Sequence, residues 1–395
     1  MNTQKIIIFG AGKIGRSFIG QVFSRSGYEV VFVDINTQLI GLMNQHRQYR
    51  VTFREGDKEE HFAIRNIRGI CLDDEQHVVA DLTDAGIVAV SVGQQGLQAT
   101  IPVLAKSLIT RRQKYGDIPL DIIIAENMRN ADVYIREELK KYLPEDYPID
   151  KLVGLVETSI GKMVPFMTKK DMVEDSLQVF AEPYNTLIVA KNGFKNPVPD
   201  IPFLAPKENI KAWVDRKLFI HNFGPVATAY LGYKYHPDLI YLWEVLQDER
   251  IKEQVRDAMQ QCAEALLREY PDVFPENQLQ EHIDDLIRRF LNRRLGDTVF
   301  RVGCDLYRKL SADDRIITPL KSAYNHGLSY HGIIEVLNAA LQFKATGSNG
   351  MMYPSDIDFH VELKEKGLLY IFQKVCGFSV QESTFFMYQL KESDL

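Results

Sequence analysis

A chain of 395 residues is long for one hydrophobic core and comfortable for two domains. Its 45% hydrophobic and 25% charged content is that of an ordinary globular protein, and a formal net charge of −6 offers nucleic acid or an anionic membrane surface nothing to hold. No apolar run reaches the ~20 residues that span a bilayer, and Cys71, Cys262, Cys304 and Cys376 form no CxxC pair, so a reduced, cytoplasmic setting without disulfides or structural zinc is expected.

The opening run "MNTQKIIIFGAG" leads straight into a glycine turn and reads as a buried first strand, not as a signal peptide. "KIIIFGAG", "EVVFVDI", "AGIVAVSVG" and "DIIIAEN" follow one another with helical stretches between them. Such continuous apolar runs suit parallel strands buried on both faces. "KLVGLVETSIGKMVP" and "SLQVFAEPYNTLIVAK" are β-rich and expected to widen the same sheet. "NPVPDIPFLAP" (196–206) carries four prolines and marks a boundary, giving domains 1–203 and 204–395. Beyond it the pattern is helical: Ile251, Val255, Met259 and Ala263 recur every four residues, a stripe facing a core. The expected architecture is α/β followed by all-α.

The stretch Phe9, Gly10, Ala11, Gly12, Lys13, Ile14, Gly15 holds GxGxxG spacing directly after a strand and opens a helix. Gly10 allows the tight turn, Gly12 lets backbone approach a pyrophosphate, and Gly15 permits close helix–strand packing, while the helix N-terminus offers N–H groups to phosphates. Asp34, about twenty residues on, suits the ribose hydroxyls and would repel a 2′-phosphate, so NAD is favoured over NADP. The competing reading is a structural glycine turn with an incidental aspartate. Gly93 ends a later strand, where a cofactor's second half lies. Glu126 and Asn127 end another, Asn127 being equally suited to a simple turn.

Oxidising a polyol requires a base for the hydroxyl proton. Zinc-ligand spacing is absent: His326 and His331 lie five apart, which is not the helical HxxxH geometry. Two YxxxK strings, Tyr147 to Lys151 and Tyr370 to Lys374, fall in a proline-bearing loop and in an apolar run far from the nucleotide half. Lys217 stands among Trp213, Val214, Leu218 and Phe219, where desolvation could lower its pKa; otherwise it is a solvated helix lysine.

"FGAGKIGRSFIG", "IIAENM" (123–128), "VDRKLFIHNFGPVATAYLG" (214–232) and "RVGCDLYRKLSADDRIITPL" (301–320) together make the chain resemble the polyol-specific long-chain dehydrogenase/reductase, or mannitol dehydrogenase, family. The resemblance covers nearly the whole length. It implies a Rossmann-type N-terminal domain with an extended sheet, a helical C-terminal domain and a site in the cleft between them. It also implies zinc-independent, NAD-linked chemistry on a sugar alcohol or ketose, here closest to the branch that interconverts mannitol 1-phosphate and fructose 6-phosphate. The family's catalytic lysine falls on Lys217, its partner asparagine on Asn222 and its strand-end asparagine on Asn127.

Three positions depart from the family pattern. A histidine usual after the helix glycine is replaced by Pro225, expected to kink the helix and free the carbonyl of residue 221. His221, about 40° around the helix from Lys217, is a candidate stand-in. A family aspartate is missing, with Gly161 and Lys162 in its place. "RFLNR" puts Arg289 and Arg293 four apart, a spacing that on a helix shares one face and suits an anionic substrate, with Arg308, Lys309 and Arg315 adding charge. The alternatives are a hexuronate or free-polyol oxidoreductase, or an NAD-binding sensor without turnover.

Overall fold

The computed structural model describes residues 1–165, 167 and 169–393. Two compact units, Met1–Val214 and Asp215–Leu395, divide the chain.

The first unit turns the apolar runs into strands: β1 (Asn2–Phe9), β2 (Glu29–Asp34), β3 (Gln48–Glu55), β4 (Lys58–Arg65), β5 (Ile67–Cys71), β6 (Ala85–Val90), β7 (Leu120–Ile124), β8 (Val153–Ser159), β9 (Val179–Ala181), β10 (Leu187–Ala190) and β11 (Leu204–Lys207). Eight of them form one sheet in the order β11-β10-β8-β7-β6-β1-β2-β5. All its pairings are parallel except that of β10 with β8. Along β1, Ile7 and Phe9 join one core while Ile6 and Ile8 join the other; Val31 and Val33 against Val30 and Phe32 do the same on β2. Both faces are therefore buried, which is why these strands read as unbroken apolar runs and not as alternation. Chain order runs outward in opposite directions from β1 and β6, so the crevice beyond their carboxyl ends is the topological switch point.

One expectation is corrected here. "SLQVFAEPYNTLIVAK" does not widen one sheet as a unit. β10 does, but β9 leaves for a separate three-stranded sheet, β4-β3-β9, built on a β3–β4 hairpin. β11, beginning at Leu204 within the proline-rich stretch, pairs with β10. Buried Asp121 holds the start of this stretch by accepting from Lys195 N (2.7 Å) and from Asn196 N and Nδ2 (3.2 and 2.8 Å).

The second unit is helical. Its long elements are Phe223–Tyr235, Glu249–Glu269, Glu276–Phe290, Ile317–Asn325, His331–Leu341, Pro354–Lys366 and Val380–Ser393. Ile251, Val255, Met259 and Ala263 are all buried, as the four-residue spacing requires of a core-facing stripe. Gly224 lets the helix Phe223–Tyr235 approach its neighbours closely: a Cβ there would press on the Phe290 ring and the Met259 sulfur. Among the described residues no helix is long and apolar enough to cross a membrane.

Candidate active site

In the first unit the glycine turn is held from below. Gly10 takes φ +94°, and Gly10 N donates to Val33 O at 2.8 Å. A side chain on Gly10 would run into Ser91 O, and one on Gly15 into Gly10 O. Gly12 is different: a Cβ there meets nothing within 4 Å, so its backbone faces open space that a pyrophosphate can enter. Phe9 and Ala11 are buried, Ile14 half-buried, and Gly12 and Lys13 exposed at the mouth. Asp34 accepts from Ala11 N at 2.7 Å and from Asn36 N at 2.9 Å. Two of its roughly four lone-pair sites remain for ribose hydroxyls. These residues fit a dinucleotide.

Arg16, which the motif did not single out, fixes the turn laterally. It donates from Nε to Ala11 O and from Nη1 to Leu177 O, both at 2.7 Å, and Tyr49 Oη donates to Arg16 O at 2.7 Å. Gly93 (φ +73°) begins the helix Gly93–Tyr115, and the Glu126 carboxylate accepts from Val92 N (2.7 Å) and Gly93 N (3.0 Å). Burial raises the pKa of Glu126. Asn127 follows, exposed, just beyond the carboxyl end of β7.

Lys162 is not a site cation. It is buried, donating to Tyr184 O (2.8 Å) and Asn185 Oδ1 (2.6 Å) with the Phe53 and Phe18 rings 4.8 and 5.3 Å from its ammonium. It belongs to the interior of the first unit.

In the second unit Lys217, His221 and Asn222 lie on one stretch of helix. The α-helix Ile210–Arg216 gives way to a π-helical turn, Lys217–His221, and a new α-helix runs from Phe223 to Tyr235. Asn222 N donates to Lys217 O at 2.7 Å, five residues back. The helix is interrupted by a π-turn ahead of Pro225, which itself occupies the first turn of the new helix, where a missing N–H is tolerated. The Lys217 ammonium is densely surrounded by protein, and burial first, then Arg315, lowers its pKa to about 8.

His221 is buried, and its pKa is well below the ordinary histidine value through burial and the charges of Arg289, Lys217 and Arg216, with His282 nearby. His282, which nothing in the sequence marked, is pushed down to about 2 by burial, Arg216 and Arg289. Both rings are neutral at physiological pH. Arg289 is buried and reaches Asp285 Oδ2 at 3.5 Å. Its pairing with Arg293 is corrected: the helix ends at Phe290, Asn292 caps a following 3₁₀ turn by accepting from Arg294 N at 3.1 Å, and exposed Arg293 lies 4.4 Å over the Trp243 ring.

In the sequence Lys309 stands out only as one charge among several. It is 4% exposed and lies on the short helix Leu306–Lys309. Buried Asp356 positions that helix by accepting from Asp305 N (3.0 Å) and Leu306 N (2.7 Å). Burial lowers the Lys309 pKa to about 8, with Arg308 and Arg315 contributing and Cys304 and Asp305 opposing. Arg315 is bound through Nε to Asp314 Oδ1 at 2.6 Å. Among the described residues no group of three or more His, Cys, Asp or Glu side chains is placed to hold a metal ion.

Residues 4–203 match the mannitol dehydrogenase Rossmann domain and residues 209–394 the mannitol dehydrogenase C-terminal domain. The chain belongs to the mannitol dehydrogenase family. It is 30% identical over 378 residues to a mannitol-1-phosphate 5-dehydrogenase of Streptococcus mutans, covering 95% of each chain. Two solved structures share the family's fold with it. A substrate-free D-sorbitol dehydrogenase has TM-score 0.80 at 14% identity, with 98% of this chain and 91% of that one covered. A Pseudomonas fluorescens mannitol 2-dehydrogenase, in a ternary complex with NAD and D-mannitol, has TM-score 0.75 at 16% identity, with 98% and 90% covered.

The packing role of Gly15 and the open, phosphate-facing role of Gly12 separate by substitution. Gly15→Ala is expected to lower the melting temperature, because the methyl must displace the Gly10 carbonyl. Gly12→Ala is expected to melt close to the parent protein yet bind NADH more than tenfold more weakly in a fluorescence titration. Equal effects on both quantities would remove the distinction.

Proposed function

We propose that the protein is a cytoplasmic NAD-dependent oxidoreductase that interconverts mannitol 1-phosphate and fructose 6-phosphate, with Lys217 as general acid and base. The observation that carries this reading is the desolvated lysine. A solvated ammonium is a poor base near neutral pH, whereas one held near 8 exists in both protonation states there. The similarity to the streptococcal enzyme supports the choice of substrate.

NAD(H), when bound, supplies or accepts the hydride. In the reductive direction Lys217 donates its proton to the ketose oxygen. Asn222 holds that oxygen through its amide N–H group and stabilises the negative charge that grows on it. In the oxidative direction neutral Lys217 takes the hydroxyl proton. The pair needs no metal, since the proton and the charge are both met by protein groups. Neutral His221 can orient a sugar hydroxyl without adding another positive charge beside Lys217. Buried Arg289 and Lys309 are assigned to the anionic end of the substrate. A lysine 4% exposed, its pKa lowered by burial, is costly to keep charged unless an anion completes it.

The pH dependence follows from the sign of the Lys217 shift. Ketose reduction needs the protonated amine, so its kcat is expected to fall as pH rises through about 8, and polyol oxidation should rise through the same value. Lys217→Ala should cost roughly 10²–10⁴ in kcat while leaving NADH binding intact. Loss of both together would mean a structural role.

Stopped-flow or steady-state NADH consumption with fructose 6-phosphate, free fructose and fructuronate tests the substrate. Turnover of the phosphate is expected. Fructuronate alone would move the assignment to a hexuronate, and silence with all three would favour a binding role. Lys309→Met should raise KM for fructose 6-phosphate at least tenfold and leave KM for NADH unchanged; an unchanged sugar KM would remove Lys309 from the anion site.

A further inference from the structure

Lys217 and Asn222 are five residues apart, a spacing that an ordinary helix would waste. At 3.6 residues per turn each residue advances about 100°, so residue 222 would point about 140° away from residue 217. The π-turn removes that offset. It spends one extra residue in closing the turn, and the result is the bond from Asn222 N to Lys217 O at 2.7 Å. Asn222 thereby comes to lie over Lys217, one turn on, along the same side of the helix.

Two neighbours explain why the extra residue is accommodated here. In an unbroken α-helix the carbonyl of His221 would receive the N–H of residue 225. Pro225 has no N–H, and its ring would crowd that carbonyl. Starting a fresh helix at Phe223 avoids both problems, because Pro225 then sits among the first-turn positions whose N–H groups have no intrahelical acceptor anyway. Downstream, Gly224 is wedged against Phe290 and Met259, so the helix Phe223–Tyr235 cannot rotate to relieve the mismatch. The slack is left to the segment Lys217–His221.

We propose that Pro225 is a positioning residue: it excludes the all-α register and so locks Asn222 on the same side of the helix as Lys217. This rests on the reading of Lys217 and Asn222 as the groups that meet the substrate oxygen. Pro225 itself touches no substrate in this account and acts only through the asparagine.

The test has a structural arm and a kinetic arm. In a crystal structure of Pro225→Ala, Asn222 N is expected to bond Leu218 O, the α-helical acceptor, in place of Lys217 O. Retention of the bond to Lys217 O overturns the proposal whatever the activity, so this arm decides even if no tested ketose is turned over. In the kinetic arm, Pro225→Ala should lower kcat with fructose 6-phosphate at least tenfold with KM for NADH unchanged. The double variant Pro225→Ala/Asn222→Ala should be no slower than Asn222→Ala alone, because the proline acts through the asparagine. Additive losses would overturn the proposal, since a merely structural proline would slow both backgrounds alike. Parental turnover with a shifted register would overturn the role and leave only the geometry.

Discussion

Holding an ammonium group near a pKa of about 8 is a demand on the whole helical unit, and most of what surrounds Lys217 serves it. Bringing a lysine down from 10.5 costs about 3 kcal/mol while the group is charged. The cost is present in full below pH 8 and fades as pH rises toward the unfolded value, so the unit gains stability across that window. A loosely packed helix would escape it by letting the side chain swing into water. The close approach at Gly224 and the buried stripe of the helix Glu249–Glu269 deny that escape. Arg315, the second cause of the shift, is itself tied to Asp314 and cannot drift off. Rigidity here holds the ammonium where water is scarce.

The nucleotide-binding unit solves a different problem by a repeated device. A carboxylate at the end of one strand accepts the N–H groups of the turn that leaves its neighbour. Asp34, ending β2, takes Ala11 N beyond β1; Glu126, after β7, takes Val92 N and Gly93 N beyond β6; Glu157, in β8, takes Ala131 N beyond β7. Each turn is thus shaped before any ligand arrives. A preformed turn loses less freedom when it closes on a pyrophosphate. Burial raises the pKa of Glu126 and Glu157, the expected cost of keeping acceptors where water is scarce.

How much of this the sequence disclosed depends on the range of the interaction. The strands β1, β2, β6 and β7 were legible because burial on both faces leaves an unbroken apolar run, and the helix stripe from Ile251 to Ala263 because one face is buried. The β3–β4 hairpin was not: half of its residues are exposed, and its polar positions resemble a loop. β9 read as part of the main sheet because composition does not say which strand a segment will pair with. Lys217, Asn222 and the glycine turn were singled out by motif. The burial of Lys309, the neutral pair His221 and His282, and the parting of Arg289 from Arg293 all depend on tertiary surroundings or on a helix ending one turn early. The π-turn had a local signal in Pro225, but the signal fitted a kink equally well.

The positions at which this chain departs from its family are therefore better described as redistributed than as lost. A lysine beside the missing aspartate would be an intrusive charge if it faced the substrate. Instead two aromatic rings and two oxygen acceptors enclose it, and no anion is needed to balance it near the reacting atoms. A proline in place of the helix histidine would be disruptive in an α-helix. Placed after a π-turn it falls in the one stretch of helix that tolerates it, and the turn returns Asn222 to Lys217. In both cases the substitution is absorbed within its own unit by groups a few residues away. Loss of function by drift would leave such residues unaccommodated, with strained backbone or unsatisfied charge. Lys217 keeps a property that is expensive to maintain, its desolvation.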